Sequence, residues 1–164
     1  MANHQMEEYK LLVDGLLPWP QTKNLMSSYK DKDRFFKILE IYQDKVKWKD
    51  IILLPIGEHL FIVQKNNQQI VKCTCGYEFG DYKQNWKLQS AILVRNQQED
   101  LERIYPHSDV CDPSWMEIRE FICPGCGTLL EVEACSPGYP ITFDFCPDLE
   151  GFYQDWLESP IPSE

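Results

Sequence analysis

Apolar and polar positions change their period along this chain. Phe35, Ile38, Leu39, Tyr42 and Val46 recur every three or four positions among lysines and aspartates, the spacing of a helix that buries one face. The pattern predicts amphipathic helices over residues 6–17 and 31–46. Pro18-Trp19-Pro20 lies between them and forbids continuation of the first, because proline lacks the amide hydrogen a helix interior needs. Ser28 and Asp31 are candidate caps for the second. From Ile51 the helical period gives way to short runs of β-branched and aromatic residues over 51–54, 60–64, 69–73, 87–95, 118–122 and 128–133. Asn66-Asn67 suits the tight turn of a hairpin. Beyond residue 135 the prolines Pro137, Pro140 and Pro147 punctuate a loop, a short helix is expected around 149–157, and Ser159-Pro160-Ile161-Pro162 forms an extended tail.

Cysteine spacing gives the β-rich stretch its chemistry. Cys73-Thr74-Cys75-Gly76 and Cys123-Pro124-Gly125-Cys126-Gly127 are two close pairs with trailing glycines, each at the end of an expected strand. Tetrahedral zinc takes four thiolates, and two tight turns deliver two apiece. Glycine lets each turn bring backbone amides near sulfur. The expected metal ligands are therefore Cys73, Cys75, Cys123 and Cys126, holding one Zn²⁺. The expected fold class is α+β. A helical N-terminal arm covers 1–50, a β-rich zinc-ribbon-like domain completed by both pairs covers 51–135, and an extended aromatic and proline-rich segment with a short helix covers 136–164.

A disulfide framework competes with this reading and fares worse. With 164 residues, 43% of them hydrophobic, the chain can bury a sizeable core, and its seven cysteines cannot all pair. No apolar run is long enough for a signal peptide or a membrane span, so a reducing cytoplasm is the expected location. Cys111, Cys135 and Cys146 are then spare thiols, and the histidines His4, His59 and His107 are scattered along the chain.

Charge narrows the partners. The net charge is −10, and residues 101–164 carry thirteen acidic groups against two basic ones. Nucleic-acid binding needs cations to neutralise phosphates, so a nucleic-acid partner is not expected. Aromatic residues make up 13% of the chain. Phe143, Phe145, Phe152, Tyr153 and Trp156 crowd the C-terminal segment, either folded back on the ribbon or anchoring the chain in a larger assembly.

No catalytic constellation is visible: there is no glycine-rich phosphate loop, no Gly-x-Ser-x-Gly and no His-Glu-x-x-His. Four thiolates close the shell of a zinc ion, whereas catalytic zinc keeps a position open, so the metal is expected to be structural. Asp81, Asn85, Glu131, Glu133, Asp144, Asp148 and Glu150 offer polar groups, but in so acidic a chain each carboxylate reads as solvated. No catalytic residue is assigned.

The residues also carry a resemblance. Leu60-Phe61-Ile62-Val63-Gln64, the first cysteine pair with Phe79 and Asp81, Asn85-Trp86-Lys87-Leu88, and Ile104-Tyr105-Pro106 form its first half. Ser114-Trp115, Ile118-Arg119-Glu120, the second cysteine pair with Thr128-Leu129, Glu131-Val132-Glu133-Ala134, Tyr139-Pro140, Asp144-Phe145, Pro147-Asp148, Glu150-Gly151-Phe152-Tyr153 and Trp156-Leu157 continue it. This ordered set, running from Leu53 to Pro162, resembles the gamma subunits of acetone carboxylases. The N-terminal arm matches less, and Cys111, Cys135 and Cys146 stand outside the family pattern.

The resemblance implies a small, zinc-containing, non-catalytic subunit of a heteromeric ATP-dependent ketone carboxylase. It implies two large hydantoinase-like partners, alpha and beta, in a dimer of heterotrimers, with ATP and Mn²⁺ bound on those partners. The implied reaction turns acetone, bicarbonate and ATP into acetoacetate, AMP and phosphate. Related small subunits serve acetophenone carboxylases and hydantoinase-like complexes. From the residues alone, a free-standing zinc-ribbon adaptor and a dithiol redox protein using Cys123 and Cys126 stand beside it.

Overall fold

In the computed structural model, which describes residues 5–105 and 109–163, the run Leu60-Phe61-Ile62-Val63-Gln64 is buried at every position and forms the middle of the fold. His4, Pro106 and His107 lie outside the described residues. A strand apolar on both faces must be covered on both sides. The run belongs to β2 (Leu60–Lys65), flanked by β1 (Ile51–Pro55) and β3 (Gln68–Cys73). A fourth strand, β4 (Glu78–Asp81), completes an antiparallel sheet in the order β1-β2-β3-β4. Asn66 and Asn67 make the expected turn between β2 and β3, both in left-handed backbone at φ 47° and 60°, as a twist-matched two-residue hairpin requires.

One face of this sheet presents Ile52, Phe61, Val63 and Ile70 to α3 (Arg34–Lys45), whose Leu39, Phe35 and Tyr42 pack onto it. These are the positions of the helical stripe. The helix starts later than 31–46 suggests. Asp33, not Asp31, holds the cap position; Asp31 instead accepts the Tyr9 hydroxyl at 3.2 Å and the Lys37 ammonium at 3.3 Å, tying α1 (Met6–Val13) to α3. Ser28 caps no start of α3 either, since it closes the C-terminus of a helix the sequence pattern conceals, α2 (Trp19–Ser27). Pro20 sits in the first turn of α2, where no amide hydrogen is required.

The opposite face contributes Leu53, Leu60, Ile62 and Val71 to a core shared with Phe121 of a second antiparallel sheet. That sheet is β5 (Ala91–Arg95), β6 (Glu117–Ile122) and β7 (Leu129–Cys135), in the order β5-β6-β7. Residues 87–95 do not form one strand. The Asn85 side chain accepts the Lys87 amide at 3.1 Å and starts a 3₁₀ turn, Trp86–Gln89, before β5 begins. A one-turn helix, α4 (Gln98–Glu102), follows β5 and buries Leu101 completely.

The C-terminal segment returns to the same core. After α5 (Leu149–Gly151) the backbone widens into a π turn, Phe152–Trp156. Leu149 and Tyr153 are fully buried, and the Tyr153 hydroxyl donates to the Leu53 carbonyl at 2.8 Å. The Phe152 ring meets Phe35 edge-on at 5.1 Å, and Ile161 packs against the core from the tail. The fold is α+β, as the sequence predicts.

Candidate metal centre

Each cysteine pair occupies the loop of a β hairpin. Cys73 ends β3 and Cys75 lies in the β3–β4 loop; Cys123 and Cys126 lie in the β6–β7 loop. Both loops close alike. The Cys73 amide donates to the Tyr77 carbonyl and the Gly76 amide to the Cys73 carbonyl, at 2.9 and 2.8 Å; the Cys123 amide donates to Thr128 and the Gly127 amide to Cys123, both at 2.9 Å. The trailing glycines carry φ of 100° at Gly76 and 74° at Gly127, where a side chain is strained.

The four sulfurs, one from each of Cys73, Cys75, Cys123 and Cys126, all lie within 4.8 Å of one another. Cys73 and Cys126 are 3.9 Å apart, and Cys75 and Cys123 are 3.7 Å apart. A tetrahedron with zinc–sulfur bonds of about 2.3 Å has edges of about 3.8 Å, so the donor set fits one four-coordinate metal of zinc's size and softness. Cys111, Cys135 and Cys146 lie outside the cluster.

Packing holds the two loops at this distance. A Cβ added at Gly125 would stand 2.9 Å from the Tyr77 Cβ and 3.3 Å from the Cys75 sulfur, so the bare backbone of one loop lies against the other. The Trp48 indole donates to the Cys73 and Thr74 carbonyls at 3.2 Å each, fixing the first loop from the α3 side. Sequence spacing names the cysteines but not these supports.

The thiols are electrostatically unequal. Cys73 is fully buried, which pushes its thiol up to about 12, and burial raises Cys123 as well. Cys126 is exposed, and the Thr128 hydroxyl and backbone amide bring it down to about 6. A divalent cation bound there would supply the charge that lets the buried pair ionise.

Asp81, Asp144, Asp148 and Glu150 are exposed, as expected of solvated carboxylates, but Glu131 and Glu133 are partly buried in a second cluster. Glu131, Glu133 and Asp144 converge on Lys87, whose side chain is 1% exposed, with ion-pair distances of 2.6, 2.7 and 3.0 Å. The ammonium also lies 5.2 Å from the Phe121 ring centre. It fills the place a bound cation would take. Beside it, buried Arg119 pairs with Glu117 at 2.7 Å. Asp81, Asn85 and Asp148 work locally as turn and helix caps. Only the alternation of Glu131 and Glu133 on one strand face hints at this cluster in the sequence.

Residues 46–157 match the family model described as acetone carboxylase gamma subunit. The chain belongs to that family. Over 153 residues, 92% of this chain and 91% of the relative, it is 46% identical to the acetone carboxylase gamma subunit of Xanthobacter autotrophicus. Over 78 residues, 46% of this chain and 60% of the relative, it is 31% identical to the acetophenone carboxylase beta subunit of Aromatoleum aromaticum. The span shared with the gamma subunit family model begins after α3 and holds both sheets, both cysteine loops and the C-terminal π turn. Among the described residues no helix is long and apolar enough to cross a membrane.

Proposed function

We propose that this chain is the small, zinc-bearing, non-catalytic subunit of an ATP-dependent ketone carboxylase, acting in the cytoplasm. The observation that carries this reading is the 46% identity over 92% of the chain to a named acetone carboxylase gamma subunit. The four sulfurs support the metal. Cys73, Cys75, Cys123 and Cys126 would hold Zn²⁺ as thiolates, a closed shell that ties the β3–β4 hairpin to the β6–β7 hairpin.

The chemistry belongs to partners: two large hydantoinase-like subunits, alpha and beta, binding ATP and Mn²⁺ in a dimer of heterotrimers. Acetone and bicarbonate are joined there to give acetoacetate, with AMP and phosphate released. A ketone is a weak carbon nucleophile and bicarbonate a weak electrophile, so both need activation, and the activated species must meet away from water. This chain would brace that chamber. The match to an acetophenone carboxylase subunit favours a second substrate class, aryl ketones.

Affinity purification of this chain from its own host, with metals and ketone-dependent ATP hydrolysis assayed on the same sample, tests the reading. Two large subunits in equal amount, one zinc per chain and hydrolysis that needs acetone are expected. Hydrolysis that needs acetophenone instead moves the substrate. A lone zinc protein with no large subunits sinks the carboxylase assignment.

A further inference from the structure

The second helix contributes to neither core. None of the residues of α2 is buried, and Trp19 and Met26, with the flanking Leu16 and Tyr29, are between 65 and 71% exposed. Nine residues are too few for a helix to persist in water on its own, and the side-chain bonds at the ends of α2 are local ones. The Thr22 hydroxyl bonds the Leu17 carbonyl at 3.1 Å, and the Lys30 ammonium bonds the carbonyls of Leu25 and Met26. A helix closed by local bonds, with its large side chains exposed, presents an apolar surface that a partner can cover.

Beside it lies a cleft of about 550 Å³ between α1, α2, α3 and the C-terminal π turn. Leu12, Leu25, Phe35, Ile38 and Phe152 line it, and Trp156 stands at its lip 80% exposed. Apolar exposure gathered in this way marks a contact surface, and tryptophan is a favoured anchor there. The cleft also carries two exposed cations. Lys32 and Arg34 line it, and neither side chain pairs with a carboxylate among the described residues, whereas Lys37 one turn along is paired to Asp31 and Asp33. On a chain of net charge −10, a cleft lined by Lys30, Lys32 and Arg34 against the one carboxylate of Asp31 favours an acidic partner.

We propose that α2 and this cleft form the docking site for an acidic segment of a large carboxylase subunit. One bulky apolar side chain of that segment sits against Phe35, Phe152 and Trp156, and its carboxylates meet Lys32 and Arg34. The proposal rests on the reading of this chain as a carboxylase subunit. It places the contact on the helical arm that precedes the family-matched span, in addition to the C-terminal aromatics.

The test is co-expression of the tagged full chain with the large subunits of its own host, followed by affinity measurement on the purified components. Lys32→Glu/Arg34→Glu and Met26→Asp/Trp156→Ala are each expected to weaken association at least tenfold, with zinc content and thermal unfolding kept. Lys83→Glu, after β4 and outside the cleft, should bind like the unaltered chain. Added salt should weaken the unaltered chain and barely affect the charge-reversed one. A photo-crosslinking residue at position 26 should label an acidic stretch of a large subunit. If both double variants bind normally, or the crosslink falls on a second copy of this chain or on a stretch without carboxylates, the docking site is wrong and the subunit assignment stands. If the unaltered chain binds no large subunit, both fall.

Discussion

The sulfurs of Cys75 and Cys123 stand 3.7 Å apart although 48 residues separate them. Cys73 and Cys126 are matched in the same crossed way at 3.9 Å. A metal among them therefore ties one sheet to the other, and does not simply close two local turns. Cys73→Ser and Cys126→Ser should each lose the metal, measured as zinc per chain by plasma mass spectrometry. Structural zinc contributes about 10 kcal/mol in isolated finger peptides; here both sheets also share an apolar core, so a loss of a few kcal/mol is expected. Cys111→Ser should keep its zinc. Normal zinc content in the first two variants refutes the ligand set.

Gly125 separates distance from backbone strain at the same loop. Its backbone conformation suits any residue, but a Cβ there would stand 2.9 Å from the Tyr77 Cβ and 3.3 Å from the Cys75 sulfur. Gly125→Ala should push the loops apart and weaken metal retention against a chelator by tenfold or more. Gly127→Ala meets open space but carries φ of 74°, so it should cost about 1–2 kcal/mol in urea unfolding and retain metal far better. Equal chelator sensitivity in the two variants would show that loop contact is not what spaces the sulfurs.

What the sequence makes legible follows from how local the cause is. Helix α3 and strand β2 announce themselves because their burial follows a 3.6-residue period and an unbroken apolar run. The cysteine pairs do so because ligand spacing is a local matter. Strand β4 goes unnoticed because Glu-Phe-Gly-Asp holds one apolar residue, Phe79, and earns its place only by pairing with β3. Helix α2 hides because a proline reads as a stop until its place in the first turn is known. Lys87 reads as part of a strand because the carboxylates that draw it inward, Glu133 and Asp144, lie 46 and 57 residues away.

Lys87 gives a prediction with a definite pH sign. Burial alone would lower its ammonium, but hydrogen bonds and charge from Glu131, Glu133 and Asp144 outweigh that and raise it above its ordinary 10.5. A folded-state value above the unfolded one means the stabilisation is fully present below pH 10.5 and is lost as pH rises through the folded value. Urea unfolding should show this cluster's contribution unchanged across neutral pH and falling only in strong alkali. Lys87→Met leaves three carboxylates facing one another without their cation, and because Glu131 and Asp144 stay partly solvated it should cost about 1–3 kcal/mol at pH 7. The variant should also lack the alkaline decline. A loss under about 1 kcal/mol at pH 7 would mean the carboxylates are solvated after all.

Tyr153 tests how the C-terminal segment is held. Leu53 is skipped where the β1–β2 register shifts between Ile52 and Leu54, so it is a bulge residue. Its carbonyl instead takes the Tyr153 hydroxyl at 2.8 Å in a fully buried contact. Burial raises that phenol to about 12, so it stays a donor throughout the neutral range. Tyr153→Phe keeps the ring but strands the carbonyl, a loss of about 1–3 kcal/mol. The effect should be local. Hydrogen exchange over residues 149–157 should speed up while zinc content stays at the level of the unaltered chain, because the hydroxyl bonds β1 and not a cysteine loop. Below pH 10 the stability gap between the two proteins should be constant, and it should shrink as pH approaches 12 and the phenol ionises. An unchanged exchange rate would mean that Phe152, Leu149 and Ile161 hold the segment without the bond.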